Sequence, residues 1–285
     1  MVKYVNSKIE IGLPKPLRFL HATDNHLSLA DERDNERKRK LAAARHKAFV
    51  GDTNRIQENL DEMVDYCSRN CDLLLHTGDL IDFVSYKNVE VGKSYLDRTD
   101  YFMCTGNHEF SQYVGEAWED EAYKYQSFNL VQTMTKYDLE FASRVVGGVN
   151  LVGVDNGYYY FLWSQLAALK AEVAKGGLPI LLLMHNPIYT PDLYDEMMLR
   201  RKNACAYVCG CPAEKMACYD AHRRKQQQPY FATNEFIDYV KKEPLIKAFI
   251  TGHLHLNYEG ELAPGKMQYV TGGGFRGDAR LIEVV

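Results

Sequence analysis

The sequence lacks any apolar run long enough to cross a bilayer. Its longest run, LPILLLM at residues 178–184, is far shorter than the roughly 20 residues that a transmembrane helix needs. The amino-terminal stretch MVKYVNSKIEIGLPKP also lacks the apolar segment of a secretory signal peptide. We therefore expect a soluble, cytoplasmic protein with no membrane partner.

The sequence also has few prolines and no strong excess of charge of either sign. The 285 residues include 9 prolines, 46% hydrophobic residues and 25% charged residues, which is typical of a globular protein. A net charge of -4 argues against nucleic acid as a partner. The stretch RDNERKRKLAAARHK at residues 33–47 is locally basic. We interpret it as a solvated helical face, with binding of an anionic substrate as the alternative.

The seven cysteines do not predict a disulfide framework, because their number is odd and no secretion signal precedes them. Four of them lie close together in the sequence, with His222 nearby: Cys205, Cys209, Cys211 and Cys218. Their spacing lacks the C-x2-C pair of common zinc sites. We predict free, buried thiols, and a structural zinc or a local disulfide is the alternative.

Five short apolar runs are typical of strands that are covered on both faces. They read LRFLHAT, DLLLHT, YFMCT, LPILLLM and KAFIT. Segments with helical period lie between them, one from Ile56 to Cys67 behind a candidate cap at Thr53, and one from Phe236 to Val240 before Pro244. The alternation predicts an α/β fold, and we expect residues 1–285 to form one domain.

Each of the five runs ends at polar residues, and five of the nine histidines lie at these ends. The junctions are Asp24-Asn25-His26, Gly78-Asp79, Gly106-Asn107-His108-Glu109, His185-Asn186-Pro187 and Gly252-His253-Leu254-His255. In open α/β sheets, ligands bind beyond the carboxyl ends of the strands, so we expect these junctions to converge on one site.

Two of the junctions also predict local geometry. In an extended segment, residues i and i+2 point the same way, so His253 and His255 should face one pocket, and Gly252 allows a close backbone approach. Adjacent residues of an extended segment point apart, so a ligand at Asn107 leaves His108 free for another task.

The side-chain types indicate a metal centre. Asp, His and Asn suit borderline divalent metals, and the candidates are too many for one ion, so we expect two. Two-metal hydrolases hold their ions about 3.5–4 Å apart, bridged by a carboxylate and by a water that becomes a hydroxide nucleophile near neutral pH. The formal charge of such a site stays positive, which favours an anionic phosphoester substrate.

The ordered set D-x-H, G-D, G-N-H-E, H and G-H-x-H resembles the calcineurin-like metallophosphoesterase superfamily and extends from Asp24 to His255. The resemblance implies a layered β-sandwich of mixed sheets flanked by helices, with the metal site at the C-terminal ends of the strands. The implied ligands of one metal are Asp24, His26, Asp79 and His255. Asp79 would bridge to a second metal, whose other implied ligands are Asn107, His185 and His253. The metals could be manganese, iron or zinc.

The resemblance also implies that His108 is the general acid that protonates the leaving oxygen, and that Asp82 orients its imidazole. An ordinary helix N-cap is the alternative for Asp82. We interpret Glu109 as a structural partner, and His21 and His76 as core histidines with satisfied hydrogen bonds. Arg276, after a glycine-rich segment, could bind phosphate in a bidentate fork, and a plain turn is the alternative.

Two features bear on the substrate. The Ser/Thr protein phosphatase branch carries arginines where this chain has Phe83 and Ser111, which favours the phosphodiesterase-like branch and a small or nucleotide-like substrate. The alternatives are a phosphomonoesterase or protein phosphatase, a nuclease, and a catalytically silent scaffold. Residues 189–230 form an excursion too long for a simple crossover. We predict a lid over the metals, with a peripheral subdomain as the alternative, and the oligomeric state stays open.

Overall fold

The computed structural model describes residues 1–113 and 121–285, which contain eleven strands in two sheets. The strands are β1 (Lys3–Ile9), β2 (Leu17–Ala22), β3 (Leu73–His76), β4 (Tyr101–Met103), β5 (Phe141–Val146), β6 (Val149–Val154), β7 (Ile180–Leu183), β8 (Ile246–Thr251), β9 (Tyr258–Ala263), β10 (Lys266–Val270) and β11 (Asp278–Val284). The α-helices are α1 (Glu36–Val50), α2 (Arg55–Asn70), α3 (Tyr86–Leu96), α4 (Glu121–Gln132), α5 (Trp163–Ala174), α6 (Pro191–Asp195), α7 (Ala221–Gln227) and α8 (Phe231–Lys242).

Both sheets are mixed, and each contains a run of adjacent parallel strands. The first has the order β1-β11-β2-β3-β4, and the second has the order β5-β6-β7-β8-β10-β9. Strands β2, β3 and β4 run parallel, as do β6, β7, β8 and β10. Because all five predicted runs are parallel strands, their carboxyl ends lie at matching edges of the two sheets.

The two sheets pack face to face and helices cover their outer faces. Alternate strand residues such as Phe19, Leu75, Leu181 and Ile250 meet in a buried cluster between the sheets. The intervening residues of the first sheet pack on α2 and α3, and those of the second pack on α5 and α8. The expected layered β-sandwich of mixed sheets flanked by helices is therefore confirmed.

Several local predictions can be compared with this fold. The five predicted strands are β2, β3, β4, β7 and β8, but they are divided between the two sheets. The cap of α2 is Asn54 rather than Thr53, which instead donates a hydrogen bond to the Val50 carbonyl. Asp82 does not cap a helix, because Ser85 caps α3.

Residues 189–230 contain α6, a π-helical turn at Glu196–Arg200, a 3-10 turn at Lys215–Cys218 and α7. They have a small apolar core of their own, which also packs on Leu254, Leu256 and Val270 of the sandwich. All seven cysteines are free. Cys205, Cys209 and Cys211 are buried as predicted, but Cys218 is exposed.

The alternative interpretations of the cysteine cluster find no support in the described residues, where no cluster suited to a metal includes a cysteine. No helix in the same residues is both long and apolar enough to span a membrane.

Candidate metal centre

The five strand ends meet at one place and bring together two groups of side chains. Group 1 consists of Asp24, His26 and His255, and group 2 consists of Asp79, His185 and His253. Within each group the ligand atoms lie within 4.8 Å of one another. Both groups combine one carboxylate with two imidazoles, a donor set that borderline divalent metals accept.

In group 1, the ring nitrogens face one another around a carboxylate oxygen. The Nε2 atoms of His26 and His255 lie 3.1 Å apart. Asp24 Oδ1 lies 3.2 Å from His255 Nε2 and 3.8 Å from His26 Nε2. Asp24 Oδ2 instead accepts a hydrogen bond of 2.8 Å from the backbone N–H of His253. This bond connects group 1 to the backbone of a group 2 residue.

In group 2, Asp79 occupies the corresponding place and reaches toward both groups. Its Oδ2 lies 3.1 Å from His185 Nε2 and 3.9 Å from His26 Nε2. His253 Nδ1 lies 3.2 Å from His185 Nε2. Asp79 Oδ1 accepts from the His108 N–H at 2.9 Å. One carboxylate oxygen therefore lies between the two groups, which is the position that a bridging ligand needs.

Two oxygens of the site are buried without a hydrogen-bond partner. They are Asp24 Oδ1 and Asn107 Oδ1. Buried polar atoms are nearly always paired, and a cation is a partner that would satisfy both. The unpaired oxygens and the facing imidazole nitrogens therefore fit a pair of divalent metal ions.

The backbone at the candidate metal ligands is unusual. Five of them have positive φ angles in the left-handed region: Asp24, His26, Asp79, His253 and His255. Residues 253–256 form bends, so the prediction of an extended segment there is wrong, although both imidazoles do reach the site. His108 likewise begins a 3-10 turn, so the extended geometry predicted there is also wrong. Left-handed conformations of non-glycine residues cost free energy and cluster at functional sites.

Glycines make room where these loops approach one another. A Cβ on Gly252 would lie 2.0 Å from Thr23 Oγ1 and 2.6 Å from Asp24 Oδ2. A Cβ on Gly106 would lie 2.2 Å from Asp79 Oδ1. The close backbone approach predicted for Gly252 is thus present, and Gly106 has the same role.

Hydrogen bonds orient the histidines of the two groups from their far sides. His185 Nδ1 lies 2.7 Å from the Thr77 carbonyl, to which it donates. His253 Nε2 lies 2.6 Å from the hydroxyl of Tyr159. His26 Nδ1 lies 3.0 Å from Asp82 Oδ1. In each case the other ring nitrogen faces the site, an arrangement that is usual for metal-binding histidines.

Asp82 contacts two imidazoles and one guanidinium. Its Oδ1 is 3.0 Å from His26 Nδ1 and 3.3 Å from His108 Nδ1, and its backbone carbonyl is 2.7 Å from His108 Nδ1. Arg45 binds both carboxylate oxygens, at 2.7 and 3.0 Å. His108 is therefore held mainly by the Asp82 carbonyl, whereas the carboxylate lies closer to His26.

Glu109 joins two of the strand-end loops. Its buried carboxylate accepts hydrogen bonds from the backbone N–H groups of Asp79, Leu80 and Gly106, at 2.8, 2.8 and 2.7 Å. Burial and the nearby Asp79 raise the pKa of Glu109 to about 7, against the opposing effect of these N–H groups. The contacts agree with a structural role.

Opposite charges shift the pKa values of residues in both groups. Burial alone would raise the pKa values of Asp24 and Asp79. Nearby histidines lower both pKa values, and the largest of these effects comes from His255 at Asp24 and from His185 at Asp79. Burial would lower the pKa of His185, but Asp79 raises it to about 10. Burial and His185 lower the pKa of His253 to about 3. The carboxylates are therefore ionised, as metal binding requires, and a metal at His185 must displace a proton.

An opening of about 280 Å³ lies over the two groups. Its lining residues are Asp79, His108, Met197, Asn203, Tyr207, His253, Leu254 and His255. Three of them, Met197, Asn203 and Tyr207, come from residues 189–230. Arg276 is not among them. It is exposed on a 3-10 turn, and its guanidinium lies 4.9 Å from the Phe275 ring centroid, so a role in substrate binding stays a prediction.

Three residues at the site were not predicted from the sequence: Arg45, Phe49 and Tyr159. Phe49 stacks on His26 with ring centroids 4.8 Å apart. Arg45 and Phe49 belong to α1, whose basic stretch we interpreted as a solvated face. Their spacing from the buried Ala42 (three and seven residues) matches one helical stripe and could have shown a packed face. We find no local sequence signal for Tyr159, which lies 94 residues before His253.

A family model described as calcineurin-like phosphoesterase matches residues 17–257. No curated protein matches the chain. A purple acid phosphatase from yellow lupin (Lupinus luteus) seeds has a similar structure, with 15% identity and a TM-score of 0.52 over 91% of this chain and 44% of that chain.

Two further solved structures align over most of both chains. A dimetal phosphatase from Danio rerio has 13% identity and a TM-score of 0.46, over 91% of this chain and 88% of that chain. A protein from Thermus thermophilus has 10% identity and a TM-score of 0.48, over 92% of this chain and 91% of that chain. The chain spans less than half the length of the lupin phosphatase, and at 15% identity that similarity shows the fold alone.

Proposed function

This chain belongs to the calcineurin-like phosphoesterase family, and from that premise we propose that it is a dinuclear phosphodiesterase acting on a small or nucleotide-like substrate. The family and the fold indicate a metal-dependent phosphoesterase. The observation that supports a dinuclear site best is Asp79 Oδ2, which lies between the two ligand groups at 3.1 Å from His185 and 3.9 Å from His26.

Seven residues would hold the metals in this proposal. Group 1 with Asp79 would hold one ion, and group 2 with Asn107 would hold the other. When bound, two divalent cations supply Lewis acidity and make water acidic enough to serve as a nucleophile near neutral pH. Manganese, iron and zinc all suit these ligands.

His108 is suited to protonate the leaving oxygen. Its Nδ1 faces the Asp82 carbonyl, so its Nε2 is the nitrogen available to substrate, and the residue lines the opening. Burial alone would lower the pKa of His108, but the carboxylates of Asp79 and Asp82 raise it above its ordinary value. A raised pKa keeps a proton on the imidazole near neutral pH, where a general acid needs it.

The lining of the opening supports a diester rather than a monoester. No lysine or arginine belongs to its lining within the described residues. A phosphomonoester dianion needs more positive charge than a diester monoanion, and a guanidinium is the usual source of it. Phe83 and Ser111, at the arginine positions of the protein phosphatase branch, are both buried. Met197, Tyr207 and Leu254 add apolar surface that suits an uncharged leaving group.

Residues 189–230 would act as the lid in this proposal, because Met197, Asn203 and Tyr207 form one wall of the opening. A peripheral subdomain would have no such contact with the metal groups. Tyr207→Ala should then change the preference among diesters more than it changes the metal content.

The experiment compares phosphoester hydrolysis by the wild-type protein and by His108→Ala with added manganese. We expect bis(p-nitrophenyl) phosphate and a nucleoside diester to be hydrolysed faster than p-nitrophenyl phosphate. His108→Ala should lower turnover of the nucleoside ester by roughly 10²- to 10⁴-fold, because its poor leaving group needs a proton. It should affect the p-nitrophenyl esters much less. Faster monoester hydrolysis would contradict the diesterase proposal, and equal losses on both ester types would contradict the role of His108.

A further inference from the structure

Helix α1 presents one line of side chains to the loops that carry the metal ligands. Its members are Lys38, Ala42, Arg45 and Phe49, with the spacing of one helical face. Lys38 donates to the Val84 carbonyl, Ala42 is buried, and the last two reach the site itself. Most other side chains of α1 are exposed, so this face is the part of the helix that packs on the protein.

Arg45 makes a two-point contact with a fully buried carboxylate. Its Nε lies 2.7 Å from Asp82 Oδ2, and its Nη2 lies 3.0 Å from Asp82 Oδ1. Asp82 is 0% exposed, and its Oδ1 also faces the Nδ1 atoms of His26 and His108. The planar guanidinium fixes the plane of the carboxylate, which a single-point ammonium contact would not do.

Phe49 completes the contact from one turn further along α1. Its ring stacks on His26 with an interplanar angle of 20° and a centroid distance of 4.8 Å. The Arg45 guanidinium lies 4.6 Å from the same ring centroid, and Phe275 packs at 4.8 Å. The His26 imidazole is thus fixed in two ways, by a ring against its face and by a carboxylate at its Nδ1.

We propose that Arg45 is a positioning residue, which together with Phe49 holds Asp82 and His26 in the geometry that metal binding and proton transfer require. The proposal rests on the proposed function for the presence of bound metals and for the role of His108 as the acid. His26 and His108 both approach Asp82 Oδ1, so a carboxylate free to rotate could pair with either ring. Arg45 holds both oxygens, which keeps Oδ1 at His26 and leaves His108 on the Asp82 carbonyl.

The primary experiment measures manganese affinity on metal-stripped protein by competition with a chelator, without substrate. Loss of a partner that orients a metal ligand typically lowers metal affinity by about 10- to 100-fold. We expect Arg45→Met to show a loss in that range, and Arg45→Lys a smaller one. Phe49→Leu should also weaken binding. The matched control is Arg39→Met, on the exposed side of the same helix, which should bind manganese like the wild type.

A second measurement distinguishes positioning from direct substrate binding. If Arg45 positions Asp82, then the double variant Arg45→Met with Asp82→Asn should lose no more manganese affinity than Asp82→Asn alone. In the single variant Arg45→Met, kcat should fall by a larger factor than KM rises. Wild-type manganese affinity in Arg45→Met, or a rise in KM alone, would overturn the proposal. Circular dichroism verifies folding, and Arg45→Lys and Phe49→Leu provide the test if Arg45→Met does not fold. Metal affinity is measured without substrate, so a failure of the phosphodiesterase proposal would not change the interpretation of this result.

Discussion

At the scale of single residues, the proposed centre depends on side chains that bind no metal. The imidazole of each ligand has two nitrogens, and the partner of the outer nitrogen decides where the inner one points. His185 uses a backbone carbonyl, His26 uses a carboxylate and His253 uses the Tyr159 hydroxyl. Of these partners, Tyr159 can be changed with the least disturbance, since it loses one oxygen as phenylalanine.

Tyr159→Phe should weaken metal binding at group 2. The substitution removes the oxygen that lies 2.6 Å from His253 Nε2, so the ring is free to turn, and we expect about a 10-fold loss of affinity for the ion at group 2. Tyr160→Phe is the matched control, because its hydroxyl donates to the exposed Glu121. Metal titration of the stripped proteins measures both. Equal affinities for the two variants would mean that Tyr159 does not orient His253.

At the scale of secondary-structure elements, the site is held by contacts between the loops that follow the strands. Glu109 connects the loop after β4 with the loop after β3 through backbone N–H groups of both. The Asp24 loop is attached in the same way, by hydrogen bonds from the Asp24 and His26 N–H groups to the Gly78 and Asp79 carbonyls. The relative positions of the ligands therefore depend on these cross-links as much as on the strands.

Glu109→Gln should destabilise the protein by about 1–3 kcal/mol, the usual cost of leaving buried groups unpaired. Glutamine retains one acceptor oxygen, and its NH₂ group would face a backbone N–H. Urea unfolding with excess chelator measures the folding contribution apart from metal binding. Glu283→Gln, at an exposed position of β11, is the control. Unfolding midpoints that agree between the two variants would show that the three hydrogen bonds contribute little to stability.

At the scale of the whole molecule, two buried histidines that we predicted to be core residues affect stability. His21 lies between Thr77 and Thr271, with its ring nitrogens 2.8 and 2.7 Å from their hydroxyls. His76 accepts from the Gly78 N–H at Nδ1, so its Nε2 carries the proton that it donates to Asn25. Protonation of His76 Nδ1 would break the first of these bonds, so the folded protein holds this histidine neutral.

Stability should therefore fall in mild acid. Burial lowers the pKa of His76 from 6.5 to about 4. As the pH falls, the unfolded chain binds this proton at a higher pH than the folded protein does. The contribution of neutral His76 to stability is therefore complete above pH 6.5 and is lost as the pH falls toward 4. The loss reaches about 3 kcal/mol at pH ~4. Urea unfolding at about pH 7.5 and about pH 5, with chelator present, should show a smaller loss for His76→Gln than for the wild type. Equal losses would show that His76 does not titrate as described.

The amino-acid sequence by itself determined five of the strands and the chemistry of their carboxyl ends. Continuous apolar runs predicted β2, β3, β4, β7 and β8, because a strand buried on both faces needs apolar side chains throughout. Parallel strands place their carboxyl ends at one edge, so the motifs also predicted which side chains the structure brings together. Both inferences depend on local pattern and on the general geometry of parallel sheets.

Only the tertiary structure decided the division of these strands between two sheets and the contacts of Arg45, Phe49 and Tyr159. The left-handed conformation at five ligand positions also differed from the extended geometry that we expected near His253. These features depend on how distant elements pack. Arg45 reaches Asp82 only because α1 lies against the loop after β3, and Tyr159 reaches His253 across 94 residues of chain. The spacing of residues along the sequence does not predict such contacts, because they are set by the packing of side chains over the whole core.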